Sequence, residues 1–316
     1  MADQEARAVL NRPALFLLDG AMATELEQMG AELKDKLWSA RLLLERPEWI
    51  RAVHEAYFRA GADVAITCSY QASFEGFSAY GIPMEEGQQL FRLSVALAKE
   101  ARAAFLQQGL PPGRPHPLVA ASVGPYGAYL ADGSEYRGQY GVPRSRLQAF
   151  HRPRIAALLS AEPDLLAFET LPDLEEAEVL LQELERFPDA LAWFSFTAQQ
   201  PGAISGGAQL SDVAALLSGH PQVVAIGFNC TPPTLIAPLL QELRLWAEPP
   251  FIAYPNSGEV WDSKSQCWLP GTSAQGGWLE QARAWQELGA AWIGGCCRSR
   301  PADIAALQPL RQEGNG

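Results

Sequence analysis

Eight short apolar runs, separated by amphipathic segments of helical period, predict a (β/α)8 barrel for this chain. Three observations carry that prediction: the number of runs, their near-continuous apolarity, and the helical spacing of what lies between them. Strands that alternate along their faces sit half in water, whereas unbroken apolar strands are buried on both faces of a parallel sheet. The 316-residue length suits a barrel of roughly 250 residues with insertions. An open doubly wound sheet is the other topology that such alternation permits.

The runs come in order as Leu15–Leu18, Val64–Thr67, Leu118–Ala121, Leu165–Phe168, Ala192–Ser195, Val223–Ile226, Phe251–Tyr254 and Ala291–Ile293. Between them, Pro47–Ala60 sets Trp49, Ile50, Val53, Ala56 and Tyr57 on one helical face, and Pro47 suits a helix start. Gln88–Gln107, Arg144–Ser160, Leu174–Arg186, Pro232–Leu245 and Leu279–Leu288 read in the same way, and Pro301-Ala302-Asp303 opens a last helix. The proline-rich 111–117 stretch is a connector rather than a linker, so one barrel domain over residues 1–316 is expected.

A hydrophobic share of 48% and a charged share of 19% describe a globular chain with ample core. The net charge of −12 argues against nucleic acid as a partner, because phosphate binding needs a basic surface. No apolar window is long enough for a membrane span, and the polar start Met1–Arg7 is unlike a signal peptide. Five cysteines without framework spacing fit a reducing cytoplasm, where clustered thiols serve catalysis or metal binding.

Gly294-Gly295-Cys296-Cys297 follows the eighth run, and Cys230 follows the sixth. Neighbouring side chains on a strand point to opposite faces, so the pair can meet one metal only if the strand breaks there. The glycines are expected to supply the backbone freedom for that break. Three thiolates with no evident fourth ligand are the donor set of a catalytic zinc site, Cys230, Cys296 and Cys297 holding Zn2+ with one position open. Core packing or a strained vicinal disulfide are the competing readings. Cys68 also ends a strand, where packing is the better reading, and Cys267 lies in the polar Ser263–Cys267 loop as an exposed bystander.

Barrel active sites form at the C-terminal strand ends. There the chain places Asp19 and Glu169, two acceptor-only carboxylates suited to clamp a substrate ammonium. The small residues after Asp19 let backbone N–H groups at Ala21 and Met22 approach a substrate carboxylate. An amino acid would then be held by its zwitterion with its side chain at the zinc. Tyr126, Tyr129 and Phe74 are candidates for a cation–π cradle, with simple packing as the alternative. The four histidines, His54, His116, His151 and His220, read as bland, and no dinucleotide or nucleotide loop is present.

These residues resemble the homocysteine S-methyltransferase family, and in particular its S-methylmethionine-dependent branch, over nearly the whole length. The motifs are Asp19–Thr24, Ser122–Tyr129, Glu169–Pro172, Asn229-Cys230, Tyr254–Gly258 and Gly294–Cys297. The resemblance implies a zinc-dependent barrel in which Cys230, Cys296 and Cys297 hold the metal and Asp19, Ala21, Met22, Glu169 and Asn256 contact homocysteine. It departs from the family in one respect: many members carry Gly-Gly after the first Asp, where this chain has Gly20-Ala21. The implied activity is methyl transfer from a sulfonium donor to homocysteine, giving methionine. A barrel that uses up the chain leaves no space for folate or cobalamin domains, which favours S-methylmethionine, with S-adenosylmethionine as the alternative donor. Betaine or a selenocysteine-type substrate would use the same chemistry, and a non-catalytic zinc or thiol sensor is the reading from another class. Such a sensor needs a filled site of four cysteines, for instance with Cys68.

Overall fold

A computed structural model describes residues 15–32, 41–248, 250–258, 260–262, 267–269 and 277–313. The Met1–Arg7 start and the Ser263–Gln266 loop lie outside them. Eight parallel strands form the barrel: β1 (Phe16–Leu17), β2 (Val64–Ile66), β3 (Leu118–Val123), β4 (Leu165–Leu171), β5 (Ala192–Phe196), β6 (Val223–Asn229), β7 (Phe251–Tyr254) and, last, β10 (Ala290–Ile293). They run in the order β1-β10-β7-β6-β5-β4-β3-β2. A parallel bridge from Leu18 to Val64, with Asp19 N donating to Val64 O at 3.0 Å, joins β1 to β2 and closes the ring. The predicted (β/α)8 barrel is therefore the observed fold.

The helices follow the apolar period closely, with Pro47–Ala60 as predicted and Arg144–Leu159 one residue short of it. The structure adds short elements that the period did not mark, among them Met22–Gln28, Phe74–Ala79, Tyr126–Leu130, Leu210–Leu217 and a 3-10 turn at Ser134–Tyr136. Between β7 and β10 the strands β8 (Val260–Asp262) and β9 (Cys267–Leu269) pair antiparallel. Cys267 thus opens a strand instead of lying in a loop. Among the described residues, no helix is long and apolar enough to cross a membrane.

Two apolar layers sandwich the strands. The outer one packs strand side chains such as Phe168, Phe194 and Phe251 against the helices. The inner one fills the barrel with Phe16, Trp193, Tyr254 and Trp292 beside smaller residues. Phe16 stacks on Trp292 with ring centroids 4.4 Å apart, and Trp193 meets Trp292 at 5.8 Å. Aromatic residues plug the barrel axis, which leaves space for a ligand above them, at the C-terminal strand ends.

His54 is fully buried on the Pro47–Ala60 helix, and neither ring nitrogen has a partner. Burial pushes its pKa from 6.5 down to about 3. Its folded value lies below its unfolded one, so the stability it confers is complete above pH 6.5 and drains as pH falls toward 3. The parent should lose about 1.4 kcal/mol per pH unit on this account across that window. His54→Leu should lack that component of the slope in urea midpoints measured from pH 7 to pH 4. An unchanged slope would remove His54 from the account of acid stability.

Candidate active site

The end of β7 brings the cysteines together. β7 lies between β6 and β10, and the carbonyls at its end accept from the residues that follow both neighbours: Tyr254 O from Cys230 N at 3.3 Å and Pro255 O, one residue past β7, from Cys296 N at 2.7 Å. Ser257 N donates in turn to Cys297 O at 3.0 Å. The strand break comes as predicted, since β10 stops at Ile293. The reason for the glycines differs from the expectation, because neither Gly294 nor Gly295 takes a positive φ. A Cβ at Gly294 would fall 2.5 Å from Leu18 Cβ, and one at Gly295 would fall 2.2 Å from Ser299 Oγ. The pair is required for close approach of the cysteine loop to β1 and Ser299, not for backbone freedom.

Cys230 itself is left-handed, with φ of 48°. That conformation turns the chain out of β6 at the point where its thiol meets the pair, at a cost of order 1–3 kcal/mol. Cys230 Sγ lies 3.1 Å from Cys296 Sγ and 3.3 Å from Cys297 Sγ. Hydrogen bonds from Cys296 and then Cys297 hold the Cys230 thiol well below its usual range, while that same sharing pushes the other two well above theirs. Three thiols this close cannot all ionise unaided, and a thiophilic cation would relieve the conflict. Sulfurs about 2.3 Å from a common centre lie within about 4 Å of one another, so the observed group fits such an ion. Among the described residues this is the one cluster of His, Cys, Asp or Glu able to hold a metal, and Cys68 is not in it. Cys68 is buried in the outer core and borders the cavity.

The carboxylates reach the same cavity from flanking strands, Asp19 after β1, which pairs with β10, and Glu169 on β4, two strands from β6. Asp19 Oδ2 accepts from Ile66 N at 2.8 Å, while its Oδ1 is buried with no partner. Burial, followed by the charge of Glu169, pushes the Asp19 carboxyl well above the usual carboxylate range. Glu169 accepts from Ser122 Oγ and, at 3.2 Å, from Tyr254 Oη, and burial raises its pKa to about 7. Two shielded acids on one cavity, one with a vacant acceptor, make a socket for a cation that donates hydrogen bonds.

Glu169 owes its aim to a bulge. The β4–β5 register shifts between Phe168 and Leu171, and Thr170 sits at φ of 62°, a strained setting for a β-branched residue. Asn229 holds it there: Thr170 N donates to Asn229 Oδ1 at 2.7 Å and Asn229 Nδ2 donates to Thr170 Oγ1 at 2.8 Å. Ser195 Oγ donates to the same Asn229 oxygen at 2.9 Å and lies 2.5 Å from Tyr254 Oη. Trp193 Nε1 donates to that hydroxyl from below, at 3.1 Å.

One cavity is lined by Asp19, Ala21, Met22, Glu169, Cys230, Cys296 and Cys297 together. Asn256 is not among its lining residues; its Oδ1 accepts from Gly258 N at 3.0 Å. Ala21 N is committed to Ser299 O at 3.2 Å, and the first-turn amides of Met22, Ala23 and Thr24 have no intrahelical acceptor, the first such bond being Glu25 N to Ala21 O at 3.4 Å. The aromatic candidates fall elsewhere. Tyr126 and Tyr129 pack with Phe150 in an outer cluster, and Phe74 packs on Phe91. The aromatic rings that do line the cavity are Tyr70, Tyr136 and Tyr254, with the acid Glu135 beside them. Sequence reasoning missed Tyr70, Glu135 and Tyr136.

His151 is less bland than its sequence context suggests. It lies 2.8 Å from Glu176, whose Oε1 also accepts from Tyr126 N at 2.6 Å. Neighbouring Arg154, fully buried, donates to Gly124 O and Tyr70 O at 3.1 Å each. This charged network fixes the backbone of the loops after β2 and β3, and thereby Tyr70.

Comparison with known proteins agrees with the geometry. The family model for homocysteine S-methyltransferase matches residues 16–310. The chain belongs to the homocysteine S-methyltransferase family. It is 51% identical over 302 residues to Homocysteine S-methyltransferase of Escherichia coli K12, covering 96% of this chain and 97% of that one. It is 49% identical over 301 residues to Homocysteine S-methyltransferase YbgG of Bacillus subtilis, covering 95% of each. Among solved structures it superposes with a TM-score of 0.86 and 49% identity on the metallated form of the homocysteine methyltransferase MmuM from Escherichia coli, covering 96% of this chain and 99% of that one. The expected family and fold stand.

Asn229→Ala should cost about 2–4 kcal/mol, since it frees the strained Thr170 and leaves buried partners unpaired. Ser195→Ala, which removes one partner of the same network, should cost about 1 kcal/mol. Equilibrium denaturation of the two variants measures both, and equal costs would contradict the role given to Asn229.

Proposed function

We propose that the protein transfers a methyl group from a sulfonium donor to the thiolate of homocysteine, giving methionine. The observation that carries this reading is the single cavity lined at once by three converging thiols and two buried acids. An amino acid with a thiol on a short side chain spans those two features. Its ammonium meets the vacant Asp19 Oδ1 and Glu169, and this pairing returns both shielded acids to their charged forms. The carboxylate of that amino acid falls to the Met22 amide, which has no intrahelical acceptor, beside Ala21, whose own N–H is held by Ser299 O.

Cys230, Cys296 and Cys297 would hold Zn2+, which when bound keeps an acceptor thiol ionised near neutral pH. The homocysteine sulfur attacks the donor methyl in line. A new C–S bond forms, the donor's C–S+ bond breaks with its electron pair returning to the donor sulfur, and a neutral thioether leaves. No proton moves in this step, so no general acid is required. The work of the protein is to align two sulfurs and exclude water, which the aromatic floor of Trp193 and Tyr254 serves from below. S-methylmethionine is the favoured donor and S-adenosylmethionine the alternative. A reducing, cytoplasmic setting suits three free thiols. A sensing site of four cysteines would need one more thiol, and the cluster of three does not include Cys68.

The test is a methyl-transfer assay of the zinc form, with homocysteine and each donor supplied separately. Methionine should form with S-methylmethionine. Cys296→Ala should lose more activity than the about ten- to hundred-fold typical of outer partners of a metal site. Cys68→Ser should keep both metal and activity. Unchanged turnover in Cys296→Ala would sink the metal mechanism, and no turnover with any sulfonium donor would sink the assigned reaction.

A further inference from the structure

Glu135 is a third shielded acid on this cavity, and nothing in the reaction described above uses it. It sits on the 3-10 turn Ser134–Tyr136, within the connection that follows β3. Its Oε2 is buried with no hydrogen-bond partner. The turn itself is firmly fixed. Ser134 N donates to Asp132 Oδ1 at 2.9 Å, Gln199 Nε2 to Tyr136 O at 2.6 Å and Thr197 Oγ1 to Glu135 O at 3.4 Å. Gly127 packs so closely below that a Cβ there would stand 2.5 Å from Glu135 N. A buried, unpaired carboxylate oxygen on a rigid segment is costly unless something cationic arrives to meet it.

The neighbourhood says where such a cation would sit. Tyr136, the next residue, places its Oη 3.6 Å from Cys230 Sγ, and Tyr70 lines the same wall. If the acceptor takes the cysteines and the Asp19–Glu169 pair, in-line transfer puts the donor sulfur beyond the migrating methyl, against the remaining lining. That lining includes Tyr70, Gln71, Glu135 and Tyr136. Glu27 is the other carboxylate bordering the cavity, and it is exposed to solvent, where its charge is screened.

On the reading under Proposed function, we infer that Glu135 is the donor-selecting residue, its carboxylate opposing the positive charge of the methyl donor. Methyl transfer removes that charge from the donor, so a carboxylate beside it favours the bound ground state over the transition state. Glu135 should therefore act on donor affinity and not on the chemical step.

The test uses two unreactive donor mimics of one shape, the cationic 2-amino-4-(trimethylammonio)butanoate and its neutral isostere 2-amino-5,5-dimethylhexanoate. Each is titrated calorimetrically into the zinc form with homocysteine bound. The parent should prefer the cation by about ten-fold or more, as expected for one shielded ion pair. Glu135→Gln should erase that preference, and Glu135→Asp should restore part of it. In turnover, Glu135→Gln should raise the donor KM by about ten-fold, with kcat undiminished and with homocysteine KM and zinc content unchanged. A cation preference that survives in Glu135→Gln would overturn the inference, as would a loss that falls on homocysteine KM or a parent that does not distinguish the mimics. Failure of the reaction itself would show separately, as absent turnover or absent homocysteine binding in the parent.

Discussion

The site depends on the end of one strand. β7 brings no thiol of its own, yet the carbonyls of its last residue, Tyr254, and of Pro255 just past it hold the amides of Cys230 and Cys296, so the thiols after β6 and after β10 arrive at one place. Backbone hydrogen bonds of this kind do not vary with side-chain rotamers, which is why three flexible thiols can share so small a volume. The cost appears nearby, in the left-handed Cys230 and in two glycines that have no space for a side chain. Strain concentrated where the three thiols converge is common at functional sites, because the surrounding barrel over-determines the local backbone.

A second theme is the management of negative charge. The cavity gathers three shielded acids beside three thiols in a chain whose net charge is already −12. Such a set is self-repelling when empty, and burial answers by pushing Asp19, Glu135 and Glu169 upward, the last two to about 7. A metal, an ammonium and a cationic donor would each neutralise part of it. The same repulsion that costs stability would favour cations in the cavity.

Much of this was legible in the sequence. The apolar runs marked the barrel strands because buried parallel strands tolerate no polar interruption, and the strand ends then located the cysteines, Asp19 and Glu169 on one rim. The bulge at Thr170 was not legible, since it is held by the Asn229 side chain of β6 gripping β4. Tyr70, Glu135 and Tyr136 escaped for a related reason. They sit past the strand ends, in connections whose path is set by Arg154, Gln199 and Gly127 rather than by local period. A usable signal was present: the stretch from Gly124 to Pro143 is long for a barrel connection and rich in tyrosine and glycine, as functional loops often are. The glycine pair was found for the wrong reason, because sequence shows that a side chain is missing but not what would occupy its place.

Three thiols of this chain, and no fourth, would share one metal and leave a place for substrate sulfur. X-ray absorption at the zinc edge tests it most directly, by counting sulfur neighbours before and after homocysteine is added. Three sulfur neighbours, all from the protein, are expected at rest, and four once homocysteine adds its own. Four sulfurs already at rest, or a count that does not change with homocysteine, would contradict it.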